Sequence, residues 1–261
     1  MPRDPGDAFR ELVAVMARLR APDGCPWDRE QTHESLARHL LEETYETLEA
    51  IDRGDLDNLR EELGDLVLQV VFHSEIAEEE GAFAVADVLD DLRAKLVRRH
   101  PHVFGDVKAE TAEDVYANWE RNKRSEKGAG VMDGIPRAMP ALARAAKMHR
   151  RALQVGFRWG GIEGFLDKLD EELGELRAEL DSESRDRDRV ESELGDVLFM
   201  VASLAQHLDV EPETAMRKML ERFEARFRVV ERGAGDDGRD LESLSPDEWG
   251  RYWEQAKQEH P

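Results

Sequence analysis

The sequence predicts an all-α protein built from two tandem copies of one helical-hairpin domain, each copy capable of contributing to a four-helix bundle. Two observations carry this. Four landmarks recur in order along the chain: Trp27 with Trp159, Glu42-Glu43 with Glu171-Glu172, Glu62-Leu63-Gly64-Asp65 with Glu193-Leu194-Gly195-Asp196, and Trp119 with Trp253. Their offsets are 132, 129, 131 and 134 residues, a constancy expected of a duplication rather than of biased composition. The apolar residues within each copy recur with helical period, and strand patterns are nearly absent.

Taken in order, the elements justify that reading. Leu40, Leu41, Tyr45 and Leu48 mark one face of a helix that Gly54 should end. A second helix is expected over about residues 57–80, and its middle, residues 66–72, is apolar almost all round, which predicts burial. The second copy repeats the pattern with a helix over 165–180, a polar loop from Asp181, and a helix over 190–208. The last helix of each copy opens with a capping signal, Thr111 with Asp114 and Ser245 with Glu248. Residues 233–238, rich in glycine and aspartate, read as a flexible loop before the C-terminal helix. Gly134, Pro136 and Pro140 mark a linker over residues 131–140, giving copies over 1–130 and 141–261.

Composition narrows the function. Across 261 residues, 37 Lys and Arg face 59 Asp and Glu, for a net charge of −22. Such a surface repels phosphate backbones and anionic lipid, which argues against direct nucleic-acid or membrane binding and in favour of cations and basic groups. Cys25 is the sole cysteine, so neither an intrachain disulfide nor a cysteine-based zinc site is available. The opening residues lack a signal-peptide pattern and the apolar runs at 12–17 and 197–202 are too short to span a bilayer, so a cytoplasmic protein is expected.

The carboxylates carry the chemistry. Glu43 and Glu46 are three apart on one helix, as are Glu62 and Asp65 on the next, so each pair shares a face and an antiparallel hairpin can bring the pairs together. Four facing carboxylates repel unless a cation sits among them, and oxygen donors without cysteine favour Mg²⁺, with Mn²⁺ as a substitute. Glu172, Glu175, Glu193 and Asp196 repeat the set. In so acidic a chain most i,i+3 pairs are solvated helix faces. Here the duplication, and the apolar runs that follow Asp65 and Asp196, tip the balance towards metal. Gly64 and Gly195, each costing about 1 kcal/mol within a helix, suggest a close approach by another group.

Downstream, Lys95 and Arg99, then Arg222 and Arg226, are four apart and could neutralise phosphate oxygens, or form ordinary surface ion pairs. Trp119 and Trp253 could stack on a base or pack near a helix end. His100-Pro101-His102 reads as a turn, or at most a phosphate contact. Glu30-Gln31-Thr32-His33 is the single Glu-x-x-His, which counts against a di-iron centre. No Gly-rich phosphate loop is present, so phosphate chemistry would fall to the metal.

The run Cys25-Pro26-Trp27-Asp28, the blocks Leu41 to Glu46 and Glu61 to Leu66, and Arg98-Arg99-His100-Pro101-His102 together resemble the MazG family of the all-α nucleoside triphosphate pyrophosphatases. The family pattern E-E-x-x-E followed by E-x-x-D occurs twice, with 15 and 17 intervening residues. The resemblance implies Mg²⁺-dependent hydrolysis of ribo- and deoxyribonucleoside triphosphates to monophosphate and pyrophosphate by a homodimer, with the C-terminal copy catalytic. It implies Glu172, Glu175, Glu193 and Asp196 at the metal, Lys168, Arg222 and Arg226 on phosphates, and Trp253 on the nucleotide. Arg222 stands where the family pattern has lysine. For the proton-accepting carboxylate, Glu171 and Glu42 or the outer ligands Glu172 and Glu43 stay open. Two other readings remain: a duplicated acidic adaptor without turnover, and a pyrophosphohydrolase for a restricted modified nucleotide.

Overall fold

The computed structural model describes residues 3–105, 107, 111, 115, 130–182 and 184–261. Among these there is no strand, and the chain divides into two compact units, 1–119 and 120–261. Asp114, Trp119 and the rest of that landmark lie outside the described residues, as does one half of the expected Thr111 cap.

The first unit holds α1 (Pro5–Arg20), α2 (Pro26–Glu30), α3 (His33–Arg53), α4 (Leu56–Glu79), α5 (Val85–Arg99) and α6 (Pro101–Phe104). α3 begins at a reciprocal cap, in which Thr32 Oγ1 accepts from Ser35 N and Ser35 Oγ accepts from Thr32 N. It ends at Gly54, whose φ of 67° is the left-handed cap that favours glycine. Asp55 then caps α4 by accepting from Asn58 N, so two residues turn the chain and the helices pack antiparallel. α1 and α5 also lie on α4. Met16, Leu36, Val71, Phe72 and Ile76 form the core. His100 ends α5 and opens α6, the turn expected of His100-Pro101-His102.

The second unit holds α7 (Ala141–Gln154), α8 (Gly161–Asp181), α9 (Arg187–His207), α10 (Pro212–Asp236), a 3₁₀ turn (Leu241–Ser243) and α11 (Pro246–Glu259). α8 and α9 form the second hairpin, α7 packs on α9 and α10, and α10 packs on α11 around Val229, Val230, Tyr252 and Ala256. The expected Ser245–Glu248 cap is present in both directions. Within the expected linker, residues 131 and 133 are fastened to α7, because the buried Arg151 donates through Nη1 to the carbonyls of Val131 (3.1 Å) and Asp133 (2.6 Å). Among the described residues, no helix is long and apolar enough to cross a membrane.

Three expectations need correcting. Residues 233–236 are not loop: α10 continues to Asp236, and Gly233 is small because Tyr252 packs there, a β-carbon falling 3.1 Å from its ring. α4 is not buried all round: Val71, Phe72 and Ile76 face the core, whereas Leu63, Val67 and Val70 are exposed. Nor does any described group approach Gly64 or Gly195, where an added β-carbon would meet nothing within 4 Å.

Candidate metal and nucleotide site

Helical spacing and the tight hairpin assemble the first cluster. Glu43 and Glu46 project from α3 and Glu62 from α4, and each offers an oxygen within 4.8 Å of the others. Glu62 is 8% exposed, Glu43 half-buried and Glu46 open to solvent. The second cluster repeats it with Glu172 and Glu175 of α8 and Glu193 of α9, again within 4.8 Å. Asp65 and Asp196 stand outside these triads yet act on them electrostatically. Burial first, then the charges of Asp65, Glu46 and Glu62, raise the Glu43 carboxyl above its ordinary range. Glu62 is raised by burial and then by Glu46 and Asp65. Glu193 is raised by burial, then by Glu175, Asp196 and Glu172. Three converging oxygen donors that repel one another are the arrangement that a hard divalent cation completes.

A cation of the chain itself reaches the second cluster. Lys168, one turn ahead on α8, sets Nζ 2.9 Å from Glu171 Oε1 and 3.1 Å from Glu172 Oε1. Those hydrogen bonds, Glu171 first, raise its ammonium to a pKa of about 12, so it stays charged at any physiological pH. At the matching register of α3 stands His39, three residues before Glu42 as Lys168 is before Glu171. His39 Nδ1 lies 3.0 Å from Glu42 Oε2. Comparing the two glutamate registers position by position would have exposed this substitution from sequence.

The remaining candidates lie elsewhere in their units. Lys95 is half-buried and Arg99 buried in the last turns of α5. Arg222 and Arg226 lie on α10, where Arg222 Nη2 is 3.2 Å from Met219 Sδ and Arg226 Nε donates to His260 O at 2.8 Å. Trp253 of α11 packs on Phe223, with centroids 5.4 Å apart. Within one chain the described bonds of Arg222 and Arg226 therefore run to their own helical layer and not to the carboxylates.

Two histidines were not anticipated as partners. His33, the first residue of α3, and His73 of α4 lie with rings 7° from parallel and Nδ1 atoms 2.7 Å apart, one necessarily donating to the other. Burial and the neighbouring His33 lower the His73 pKa. Their separation of 40 residues hid the contact.

Comparison with known proteins agrees with the duplicated geometry. The profile of the MazG nucleotide pyrophosphohydrolase domain matches residues 31–104 and again 161–230, which are the two carboxylate hairpins with the helix that follows each. The chain is 45% identical over 258 residues to the nucleoside triphosphate pyrophosphohydrolase/pyrophosphatase MazG of Thermotoga maritima, covering 98% of both chains. It is 44% identical over 253 residues to the nucleoside triphosphate pyrophosphohydrolase of Escherichia coli K12, covering 95% of this chain and 96% of that one. It is also 41% identical to the uncharacterized protein YabN of Bacillus subtilis, covering 96% of this chain and 52% of that one.

Proposed function

The chain belongs to the MazG nucleotide pyrophosphohydrolase family, and on that premise we propose that it hydrolyses ribo- and deoxyribonucleoside triphosphates to the monophosphate and pyrophosphate with Mg²⁺. The carrying observation is the twice-built triad of glutamates, in which burial and then neighbouring carboxylates raise Glu43, Glu62 and Glu193 above their ordinary range. Glu172, Glu175 and Glu193, with Asp196 beside them, would hold the ion in the second unit, and Glu43, Glu46, Glu62 and Asp65 in the first. When bound there, Mg²⁺ supplies a Lewis acid for the triphosphate and lowers the pKa of a water.

The chain's own groups do the rest. Lys168 offers phosphate oxygens a permanent positive charge in exchange for its carboxylate partners. Glu171, exposed and one residue from the ligand Glu172, accepts the proton from the attacking water, a role Glu42 would fill in the first unit. Arg222 and Arg226 counter the charge of the leaving pyrophosphate if the α10 layer of a second copy faces the hairpin. The exposed apolar faces support a homodimer: Leu40, Leu41, Leu63, Val67 and Val70 on the first hairpin, and Leu166, Leu194, Leu198 and Val201 on the second.

The test is incubation of the purified chain with each nucleoside triphosphate and deoxy counterpart, with Mg²⁺ or with EDTA, identifying both products. Monophosphate and pyrophosphate that vanish with EDTA are expected, with Glu172→Gln removing the share formed by the C-terminal copy. Diphosphate with orthophosphate would overturn the mechanism. No product, together with no effect of Mg²⁺ on thermal stability, would favour the acidic adaptor.

A further inference from the structure

The two units treat one recurring landmark differently. In the second unit Trp159 is locked into an aromatic cluster, 4.8 Å from the rings of both His149 and Phe157 and 5.2 Å from Phe165, as a packing residue would be. Its counterpart Trp27 is 52% exposed. Yet the segment that presents Trp27 is firmly held. The buried Arg20 donates to Asp28 O and Gln31 O, and Gln31 Nε2 donates to Trp27 O at 2.9 Å. A large aromatic ring is thus kept on a fixed backbone with half its surface in water, where burial contributes little to stability.

What Trp27 touches gives the exposure a direction. Its described ring contact is His39, with centroids 6.2 Å apart and planes 68° to one another. His39 is the residue that replaces the lysine of the other unit. Its Nε2 accepts from Arg38 Nε at 3.2 Å, and its Nδ1 lies 3.0 Å from Glu42 Oε2, so both ring nitrogens are held by neighbours. Where the second unit has a lysine ammonium over its glutamates, the first has an imidazole ring continuing an indole. His39 lies four residues, or about 6 Å of helical rise, ahead of the ligand position Glu43. An aromatic wall therefore begins one turn from the carboxylate cluster.

We propose that Trp27 and His39 form the nucleobase wall of a nucleotide site in the N-terminal copy, so that this copy recognises its ligand more through the base and less through phosphate charge than the C-terminal copy does. Flat rings stack on any base, and such stacking is sequence-tolerant. The proposal rests on the reading of the glutamate triads as metal–triphosphate sites.

The experiment uses the full chain carrying Glu172→Gln and Glu193→Gln, which removes the C-terminal ligands. Calorimetry with Mg²⁺ then compares α,β-methylene ATP, resistant at the α–β bridge, with inorganic tripolyphosphate, which has no base. In that background Trp27→Ala should weaken the nucleotide analogue at least about fivefold and leave tripolyphosphate unchanged, with Trp27→Phe recovering most of the affinity. His39→Lys should strengthen tripolyphosphate relative to the analogue. The proposal is overturned by absence of analogue binding in the background protein, by equal loss of both ligands in Trp27→Ala, or by a change in oligomeric state without a change in affinity. Pyrophosphate release by the unsubstituted chain, assayed alongside, reports separately on the general reading: its success with any of those three outcomes removes this proposal alone.

Discussion

Lys168 lies 3.1 Å from Glu172, spanning one helical turn, so an ammonium of the chain shares the carboxylate on which the C-terminal cluster depends. Glu171, at 2.9 Å, is its other partner. With a pKa raised to about 12, above the usual 10.5, the lysine favours the folded state below pH 10.5, and that contribution is lost as pH rises through 12. It is therefore constant across the working range, and its removal reads out on binding. Replacing Lys168 by Met should lower kcat/KM for nucleoside triphosphates by about 10- to 100-fold, the loss of one charge-assisted contact, with Lys168→Arg recovering part of it. Steady-state kinetics decide this, and an unchanged kcat/KM in Lys168→Met would remove the lysine from the site.

The raised carboxyls make metal-free stability depend on pH. A glutamate whose folded pKa lies above its unfolded value favours folding while protonated, and loses that contribution as pH rises from the unfolded to the folded value. For Glu43, Glu62 and Glu193 the window starts at the ordinary 4.5 and extends upward. Thermal melts in EDTA should show the cost of these three growing with pH through that window, and saturating Mg²⁺ should cancel it. Glu193→Gln should raise the melting temperature in EDTA at neutral pH while shrinking the Mg²⁺ increment. A lower melting temperature in EDTA would mean that burial and repulsion of charge do not set the cost of Glu193 in this cluster.

Geometry also ranks the proposed ligands. Glu193 belongs to the triad within 4.8 Å, whereas Asp196 is exposed and outside it. Glu193→Gln is expected to abolish the part of the Mg²⁺-induced shift that comes from the C-terminal cluster, and Asp196→Asn to reduce that part while leaving a measurable remainder. Equal losses in both variants, followed by calorimetric titration with Mg²⁺, would place Asp196 on the ion as firmly as the three glutamates.

Gly54 and Gly64 should respond to alanine in opposite directions. Gly54 caps α3 in the left-handed region, so Gly54→Ala should destabilise the first unit by about 1 kcal/mol. Gly64 is helical with open space around it, and Gly64→Ala should stabilise the unit by about 0.5–1 kcal/mol in denaturant melts. If Gly64→Ala instead weakens self-association in ultracentrifugation, the close approach expected from sequence comes from a second copy.

Arg20 tests the first unit's scaffold. Its side chain is 6% exposed, pairs through Nε and Nη2 with Glu79 and lies over the Phe72 ring. Arg20→Met should cost about 2–3 kcal/mol, because Glu79, half in water, is only partly stranded. Circular dichroism in urea should show the first unit melting earlier and the second unmoved, and coincident early melting of both would argue that the units unfold together.

Much of this architecture is written locally. Thr32, Gly54 and Asp55 dictate where α3 ends and α4 begins through caps that act within four residues, and the repeated Glu-x-x-Glu and Glu-x-x-Asp spacings place acids on one face by helical geometry alone. The duplication was legible for the same reason. Tertiary structure decided what depends on contact between distant residues or on distance itself. It joined His33 to His73 across 40 residues, took Glu43, Glu46 and Glu62 into a triad without Asp65, and ran α10 through Gly233 because Tyr252 packs there. It also left the apolar faces of both hairpins uncovered and set Trp27 apart from Trp159. Helical periodicity says which residues share a face. Which face is buried, and against what, is settled only when the remaining helices compete for it.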